Sequence, residues 1–342
     1  MDKSKKTDIS KLGEFKLAKR IAESAVIKQS STVKSIGDDA AVLHYNDTET
    51  VVSTKLLLEG IHFDLIYTPL KHLGYKAVVA AISNIYAMNA TPRQLMLSLG
   101  LSKRFFVEDV DELHTGIKTA CEYYGVDLVG FETSSSMTGL TISITAIGDA
   151  PKEKIVYRSG GQKTDLLCLT GNLGAAYMGL QLLEREKRVF DGNSQVQPKL
   201  EGHDYILQHY LKPEARKDIV DTMAQQNIVP TAMIDVTNGL ASDVLHLCGQ
   251  SNCGVRIYLE RIPISSETFK MAEEINIDAM TAVLNGGDDY ELLFTVPVAM
   301  YETVRKELQN VDIIGHLCDA TEGSYLITPD NQAIELTAQG WQ

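Results

Sequence analysis

Small residues and carboxylates recur in short segments that follow predicted strands. Five such segments are IGDDAAV at 36–42, STKLLLEG at 53–60, VGFETSSS at 129–136, MIDVTNG at 233–239 and NGGDDYE at 285–291. Small residues let the backbone approach a ligand, and carboxylates supply the hard oxygen ligands that Mg²⁺ prefers. Carboxylates on separate strand ends suit a polyphosphate bound with magnesium. Each segment taken alone is also explained as a plain acidic turn with no ligand.

Several other chemical motifs are absent from the sequence. It contains no GxxxxGK[ST], no GxGxxG and no GxSxG, which excludes a P-loop, the dinucleotide fingerprint and a nucleophile elbow. The cysteines are Cys121, Cys168, Cys248, Cys253 and Cys318, and none forms a CxxC pair. They are expected to be reduced thiols in or near cores rather than zinc ligands.

Composition limits the class of protein further. The chain has 342 residues, 44% of them apolar and 23% charged, which is typical of a globular protein of two domains. A net charge of −13 argues against a nucleic-acid groove, which needs a basic face. No apolar run is long enough to span a membrane, and the lysine-rich start lacks the apolar stretch of a signal peptide. We therefore predict a cytoplasmic protein without nucleic-acid or membrane partners.

Periodicity predicts two units of mixed strands and helices. LKHLGYKAVVAAISNIYAM and VEDVDELHTGIKTACEYYG are predicted helices, and LTISITAIG alternates as a half-buried strand does. IVYRSGGQKTD is polar and glycine-rich and is predicted to be the hinge. A second series of strands and helices follows, in which PEARKDIVDTMAQQN is a predicted helix entered through Pro213.

The motifs together resemble the thiamine-monophosphate kinase family, within the superfamily of aminoimidazole ribonucleotide synthetase. The resemblance is carried by GDDAAV, by ST and LLLEGIHFD on either side of Lys55, by LGYKAVVAAIS and IYAMNA on either side of Asn84 with the proline that follows, by GGDDYELLFT and by the closing GW. It implies a two-domain α/β (α+β) fold, with residues 1–155 as the domain that binds ATP and Mg²⁺ and dimerises through an intersubunit barrel. Residues 156–342 are then a C-terminal α/β domain. The implied reaction is ATP-dependent phosphorylation of thiamine monophosphate to thiamine diphosphate by a homodimer.

The resemblance also implies ligand contacts, although it assigns no residue a certain catalytic role. The implied metal contacts are Asp39, Ser53, Thr54, Glu132 and Asp235. The implied nucleotide contacts are Phe131, Glu132, Arg158 and Thr237. The implied substrate contacts are His62, Asp288 and Trp341, with Asp288 standing where the family has a longer glutamate.

Several positions depart from the family pattern. Lys55, Asn84 and Asn238 stand where the family has metal-binding aspartates, and Glu132 replaces a fourth. Asparagine loses the charge that helps to strip water from Mg²⁺, and lysine cannot ligate the ion at all. Phe131 replaces a glycine and is expected to crowd the path of the nucleotide phosphates. Binding of ATP and Mg²⁺ is therefore expected to be weak, and turnover low.

Three functions remain open at this point. The chain is a kinase with a reduced metal set, an inactive homologue that binds a ligand or another subunit, or an enzyme acting on a different phosphorylated or carboxylated substrate. Each altered residue also has a plain structural explanation, for example Lys55 as a solvated lysine, Phe131 as a core residue and Trp341 as a cap on an apolar patch.

Lys55 is expected to replace the lost metal. If its side chain and that of Glu132 point at one volume, the ammonium and the carboxylate neutralise each other. We therefore predict that the Lys55 ammonium lies within about 4 Å of a carboxylate, that of Glu132 first and that of Asp39 second.

Overall fold

The N-terminal half of the chain folds around a mixed sheet. The computed structural model describes residues 32–34, 38–45, 48–192 and 198–339. Within them, six strands occur in the order β1-β2-β3-β6-β4-β5. Their bounds are Thr32–Lys34 (β1), Ala41–Tyr45 (β2), Thr48–Leu58 (β3), Thr91–Leu101 (β4), Asp127–Ser135 (β5) and Thr141–Pro151 (β6).

Two helices cover one face of this sheet. Helix α1 spans Leu70–Ala87 and is buried continuously from Leu73 onward. Helix α2 spans Val107–Tyr124, buries one stripe only, and ends at Gly125 in the left-handed conformation. A helix that is apolar on all sides must be covered on all sides, so α1 is the central element of the domain.

The C-terminal half contains a second sheet. Its described strands occur in the order β13-β12-β9-β11-β7-β10-β8. Their bounds are Leu166–Thr170 (β7), Ala232–Val236 (β8), Cys253–Tyr258 (β9), Glu291–Val296 (β10), Val311–Asp319 (β11), Ser324–Ile327 (β12) and Ala333–Glu335 (β13). The helices are Ala175–Gly192 (α3), Asp204–Leu211 (α4), Lys217–Gln225 (α5), Leu240–Ser251 (α6), Ser266–Ile275 (α7), Ala279–Asn285 (α8) and Tyr301–Glu307 (α9).

The two halves share one apolar core. Ile85 of α1, Met233 of β8 and Phe294 of β10 belong to the same buried cluster. The segment between β6 and β7 is fixed to both halves, because Val156 N–H donates to Met88 O and Met233 N–H donates to Tyr157 O. Among the described residues, no helix is long and apolar enough to cross a membrane.

Strand β6 confirms the alternation seen in its sequence. Ile142, Ile144 and Ala146 are fully buried under the helices. The intervening side chains of β6 lie on the other face, which we call the outer face, and are only half-buried. Leu56 and Met96 share this outer face and are 53% and 43% exposed.

The predicted helix over 213–227 starts later than its sequence indicates. Helix α5 begins at Lys217, so Pro213 is not its entry residue. Ala215 N–H donates to the Tyr124 hydroxyl, and the Arg216 guanidinium pairs with Glu291 across 2.8 Å. These tertiary contacts hold the preceding residues out of the helix and override the local preference.

Helices α1 and α2 cross at two glycines, and the crossing yields a stability prediction. A Cβ added at Gly116 would lie 1.8 Å from Lys71 O, and one added at Gly74 would lie 2.1 Å from Leu113 O. We expect Gly116→Ala to lower the free energy of unfolding by roughly 2 kcal/mol, because the helices must separate. Urea unfolding measures this change.

Gly249 provides the matched control. It also lies inside a helix, α6, but a Cβ added there meets no atom within 4 Å. Gly249→Ala is expected to stabilise by up to about 1 kcal/mol, because alanine favours the helix. Equal effects of the two substitutions would contradict the close crossing of α1 and α2.

Candidate functional site

The Asp39 turn, strand β3 and helix α1 meet at one buried point. Asn84 Nδ2 donates to Ser53 Oγ across 2.8 Å and to the carbonyl oxygen of Asp39 across 3.1 Å. Ser53 Oγ also donates to that carbonyl, at 3.3 Å. Three sequence positions of the predicted metal site therefore converge, but the amide of Asn84 uses its donor group to do so. An aspartate at position 84 has no such donor.

Asp39 is held by Arg158 rather than left open to a cation. Arg158 Nε lies 2.6 Å from Asp39 Oδ2, and Arg158 Nη2 lies 2.7 Å from Asp39 Oδ1. Burial alone lowers the pKa of the Arg158 guanidinium, but the charge and hydrogen bonds of Asp39 outweigh burial and raise it. Asp39, predicted to contact a metal, and Arg158, predicted to contact the nucleotide, thus form a bidentate ion pair with each other.

Asp235 at the end of β8 lies beside this pair. The residue is buried, and its Oδ2 atom lacks a hydrogen bond of normal geometry, as do Ser83 Oγ and Asn84 Oδ1. Burial raises the pKa of Asp235 to about 6, the negative charge of Asp39 adds to the rise, and the charge of Lys55 opposes it. Asp235 is therefore the carboxyl group at this point whose charge the protein compensates least.

The predicted pair between Lys55 and Glu132 is wrong within a protomer. Lys55 is in register with Ile144, Ile144 with Leu97, and Leu97 with Phe131, whereas Glu132 is in register with Ser98. Partnered residues point to the same face of a sheet and successive residues to opposite faces, so Lys55 and Glu132 point apart. Three inter-strand steps also separate them by roughly 14 Å.

The second predicted partner of Lys55 is wrong as well. Asp39 is bound by Arg158, and Lys55 forms no ion pair with any carboxylate of the described residues. The side chain is half-buried on the face of β3 that carries Ser53. Lys55 follows Ser53 by two residues on this face, beside the Asp39 cluster, and we call the region bounded by Asp39, Asp235 and Asp288 the cleft. The Lys55 charge opposes the rise in the pKa of Asp235 and helps to lower the pKa of Asp288.

Phe131 and Glu132 lie on edge strand β5, apart from the Asp39 cluster in the same protomer. Phe131 is 56% exposed and borders an apolar groove of about 360 Å³ between β4, β5 and α2. Glu132 is exposed on the outer face. The expected crowding of phosphates by Phe131 therefore has no basis within one protomer.

Thr54, Thr237 and Asn238 are held by other contacts. The Thr54 hydroxyl lies on the outer face of β3 and donates to Ile144 O at 3.4 Å. The N–H groups of Thr237 and Asn238 both donate to Asp243 Oδ2, at 2.9 and 3.0 Å, and Asn238 Nδ2 donates to Asp243 Oδ1. Burial raises the pKa of Asp243 to about 7, with these donors opposing the rise. An aspartate at 238 would face this carboxyl group directly.

Asp288 is paired with a buried lysine from the other domain. Lys76 Nζ lies 2.8 Å from Asp288 Oδ2 and also lies over the ring of Tyr210. Burial raises the pKa of Asp288, but the charge and hydrogen bond of Lys76 outweigh burial and lower it below its usual value. Asp288 has a φ of 59°, a left-handed conformation that is uncommon outside glycine.

His62 and Trp341 are the other two predicted substrate contacts. His62 is exposed in the turn after β3, where its Nδ1 accepts a hydrogen bond from Leu58 N–H at 3.1 Å. That bond fixes the ring and leaves Nε2 as its other polar atom. Trp341 lies outside the described residues.

The residues present do not fit the magnesium cluster that the resemblance implies. Both oxygens of Asp39 are engaged by Arg158, the amide of Asn84 is a donor toward Ser53, and Lys55 adds a positive charge on the same face of β3 as Ser53. No group of three or more His, Cys, Asp or Glu side chains in the described part of the chain is placed to hold a metal ion. One uncompensated carboxylate, that of Asp235, is too little charge for several divalent cations.

Sequence reasoning missed Lys76 and Asp243. Lys76 follows Gly74 in a helix that reads as apolar, and a charge inside such a helix signals a buried partner. Asp243 lies in the first turn of α6, where a carboxylate accepts free N–H groups. Both residues position the segments that carry the predicted contacts.

Asp235 yields a pH prediction. A folded-state pKa of about 6, above the usual 3.8, means that the folded protein binds the proton more tightly than the unfolded chain. Stability is therefore lost as the pH rises from about 4 through about 6. Asp235→Asn removes the buried charge and should raise the free energy of unfolding at pH 8 by up to about 3 kcal/mol, with little gain at pH 4.

Urea unfolding at several pH values measures this effect. Asp111→Asn, on the exposed side of α2, is the matched control and should change neither the stability nor its dependence on pH. A variant Asp235→Asn whose stability runs parallel to that of the parent across the range would reject the raised pKa.

Two family descriptions match the chain. Residues 37–150 match "AIR synthase related protein, N-terminal domain", and residues 165–330 match "AIR synthase related protein, C-terminal domain". The fold is therefore the two-domain α/β arrangement of that family. The hydrogenase maturation protein HypE in complex with ATP superposes with a TM-score of 0.69 at 16% identity over 88% of each chain, which is a likeness of fold alone.

Closer relatives are named thiamine-monophosphate kinase. The protein from Aquifex aeolicus is 32% identical over 84% of this chain and 87% of its own, and that from Bacillus subtilis is 28% identical over 96% and 99%. The structure of AaThiL complexed with AMPPCP and TMP superposes with a TM-score of 0.83 at 28% identity, covering 98% of this chain and 99% of that one. The chain belongs to the thiamine-monophosphate kinase family.

Proposed function

We propose that the protein phosphorylates thiamine monophosphate with ATP to give thiamine diphosphate, and that its turnover is low. The named relatives and the ThiL complex with AMPPCP and TMP support the reaction and its ligands. The bidentate pair of Asp39 with Arg158 carries the second part of the proposal, because it occupies a carboxylate that the resemblance assigns to a metal.

The expected slowness follows from the chemistry of phosphoryl transfer. The transferred group carries spread negative charge, so catalysis depends on positioning and on neutralising that charge. Among the described residues, the cations near Asp39, Asp235 and Asp288 are Lys55, Lys76 and Arg158, and the last two are already paired with carboxylates. These side chains therefore offer a bound nucleotide only a fraction of the positive charge that a cluster of Mg²⁺ ions would supply.

A second candidate function is binding without turnover. The same engaged carboxylate favours it, since a cleft that balances its own charges retains a pocket for a phosphorylated ligand but loses the means to activate ATP. An assay for thiamine diphosphate with ATP and MgCl₂, together with calorimetric titration of each ligand, separates the two. Ligand binding with no product supports the second candidate, and slow product formation supports the first.

Restoring the family residues provides a sharper test of the low turnover. We expect the triple variant Lys55→Asp, Asn84→Asp and Asn238→Asp to increase kcat/KM with MgCl₂ by about 100-fold or more, because single charge-stabilising contacts are worth that much in transfer reactions. The variant should also gain thermal stability on addition of MgCl₂, since its added carboxylates repel one another without a cation.

Lys118→Glu, Asn331→Asp and Lys103→Glu, combined in one chain, change charge at exposed positions and serve as the control. This control should show no gain in activity. An unmodified protein with turnover already equal to that of the A. aeolicus relative would reject the proposed impairment.

We also propose a homodimer formed through the outer face of the N-terminal sheet. Leu56 and Met96 are exposed there among half-buried residues of β6, and an antiparallel sheet face of this kind needs a cover. Sedimentation velocity should give twice the monomer mass. Leu56→Asp should shift the protein toward the monomer, whereas Ile66→Asp, at an exposed residue off the sheet, should not.

A monomer at micromolar concentration would reject the homodimer. An intersubunit barrel goes beyond a dimer and is a further part of this proposal. It requires strands of the two protomers to form hydrogen bonds with each other, and not only sheet faces to pack together. A dimer that survives Leu56→Asp unchanged would place the interface elsewhere.

A further inference from the structure

Three carboxylates at the cleft, those of Asp38, Asp39 and Asp288, are matched by side-chain cations of the same chain, whereas Asp235 forms no ion pair among the described residues. Asp39 is bound by Arg158, with Nε 2.6 Å from Oδ2, and Asp288 by Lys76, with Nζ 2.8 Å from Oδ2. Asp38 is approached by Lys34, with Nζ 3.5 Å from Oδ2. Each of these pairs is within one chain and needs no added ion.

Lys55 differs from these cations. It forms no ion pair with a carboxylate of the described residues, yet it lies on the cleft side of β3 and is half-buried. Its charge opposes the rise in the pKa of Asp235 and helps to lower the pKa of Asp288. An ammonium group with three donors, on the same face of β3 as Ser53 and without an ion pair among the described residues, can bind an anion.

We propose that Lys55 binds the phosphate group of the phosphorylated ligand directly, so that the ligand binds without a divalent cation. The proposal rests on the proposed function for the identity of the ligand, thiamine monophosphate. It deepens that function by assigning the phosphate contact to a residue that stands where the family has an aspartate.

The surrounding charges favour phosphate at Lys55 over Mg²⁺. A cation placed between Asp39 and Asp235 would have to displace Arg158 from Asp39 and would be repelled by the Lys55 ammonium. A phosphate group at Lys55 displaces neither Arg158 from Asp39 nor Lys76 from Asp288, and Asp235 is the one carboxyl group of these three that it would meet unpaired. Charge-assisted hydrogen bonds from an ammonium to phosphate are among the stronger ones in proteins.

The test is titration calorimetry of the full-length protein with thiamine monophosphate, thiamine and inorganic phosphate, in buffer with EDTA and in buffer with MgCl₂. We expect thiamine monophosphate to bind with the same Kd in both buffers and more tightly than thiamine. Lys55→Met should weaken the binding of thiamine monophosphate by about tenfold or more but leave the binding of thiamine unchanged. Lys55→Arg should retain most of the affinity for thiamine monophosphate. Lys118→Met, at an exposed lysine of α2, should change nothing.

The outcomes separate this proposal from the proposed function. Binding of thiamine monophosphate that requires MgCl₂, or that Lys55→Met leaves intact, overturns the role of Lys55 while the function stands. If thiamine monophosphate binds in neither buffer, the proposed function fails, and inorganic phosphate decides the role of Lys55. Phosphate binding in EDTA that Lys55→Met abolishes then supports the role, and absent or unaffected phosphate binding overturns it.

Discussion

The ion pair between Arg158 and Asp39 fixes the geometry on which the cleft depends. Asp39 belongs to the turn before β2, and Arg158 to the segment that joins the two sheets. The same segment is held further by Arg158 N–H donating to Asp38 Oδ1, and by Ser251 Oγ donating to Arg158 O. Without the guanidinium, Asp39 would be left buried beside Asp235, and stranding a buried charge typically costs roughly 3–5 kcal/mol. Arg158 therefore balances the charge of Asp39 and helps to hold the connecting segment against the Asp39 turn.

Much of the fold could be predicted from periodicity, because burial imposes its period on the sequence. The mostly apolar helix at 70–87, the amphipathic helix at 107–124 and the alternating strand at 141–151 all occur where the pattern placed them. Helix α5 begins later than predicted, because Arg216 pairs with Glu291, which lies 75 residues further along the chain. The sequence around Arg216 does not indicate that contact. Long-range ion pairs override helix signals in ways that no window of sequence reveals.

The candidate site was predictable as a set of positions but not as a set of contacts. The resemblance assigned Asp39, Ser53 and Asn84 to one site, and in the structure these three residues are joined by hydrogen bonds. It failed for Lys55 and Glu132, because the face that a strand residue occupies depends on register. Strand β5 pairs with β4 through an irregularity between Leu95 and Met96, which shifts the alternation by one residue. Neither the order of the strands nor that shift can be read from the spacing of the motifs.

Strand β3 links the cleft to the proposed interface between protomers. Ser53 and Lys55 point toward α1, whereas Thr54 and Leu56 between and beside them point to the outer face. A slip of one residue in register would move Lys55 out of the cleft and replace it with a threonine or a leucine. The eleven-residue pairing of β3 with β6 is what prevents that slip. A partner seated on the outer face would stabilise the same register, so the proposed dimer and the side of β3 on which Lys55 lies both depend on one strand pairing.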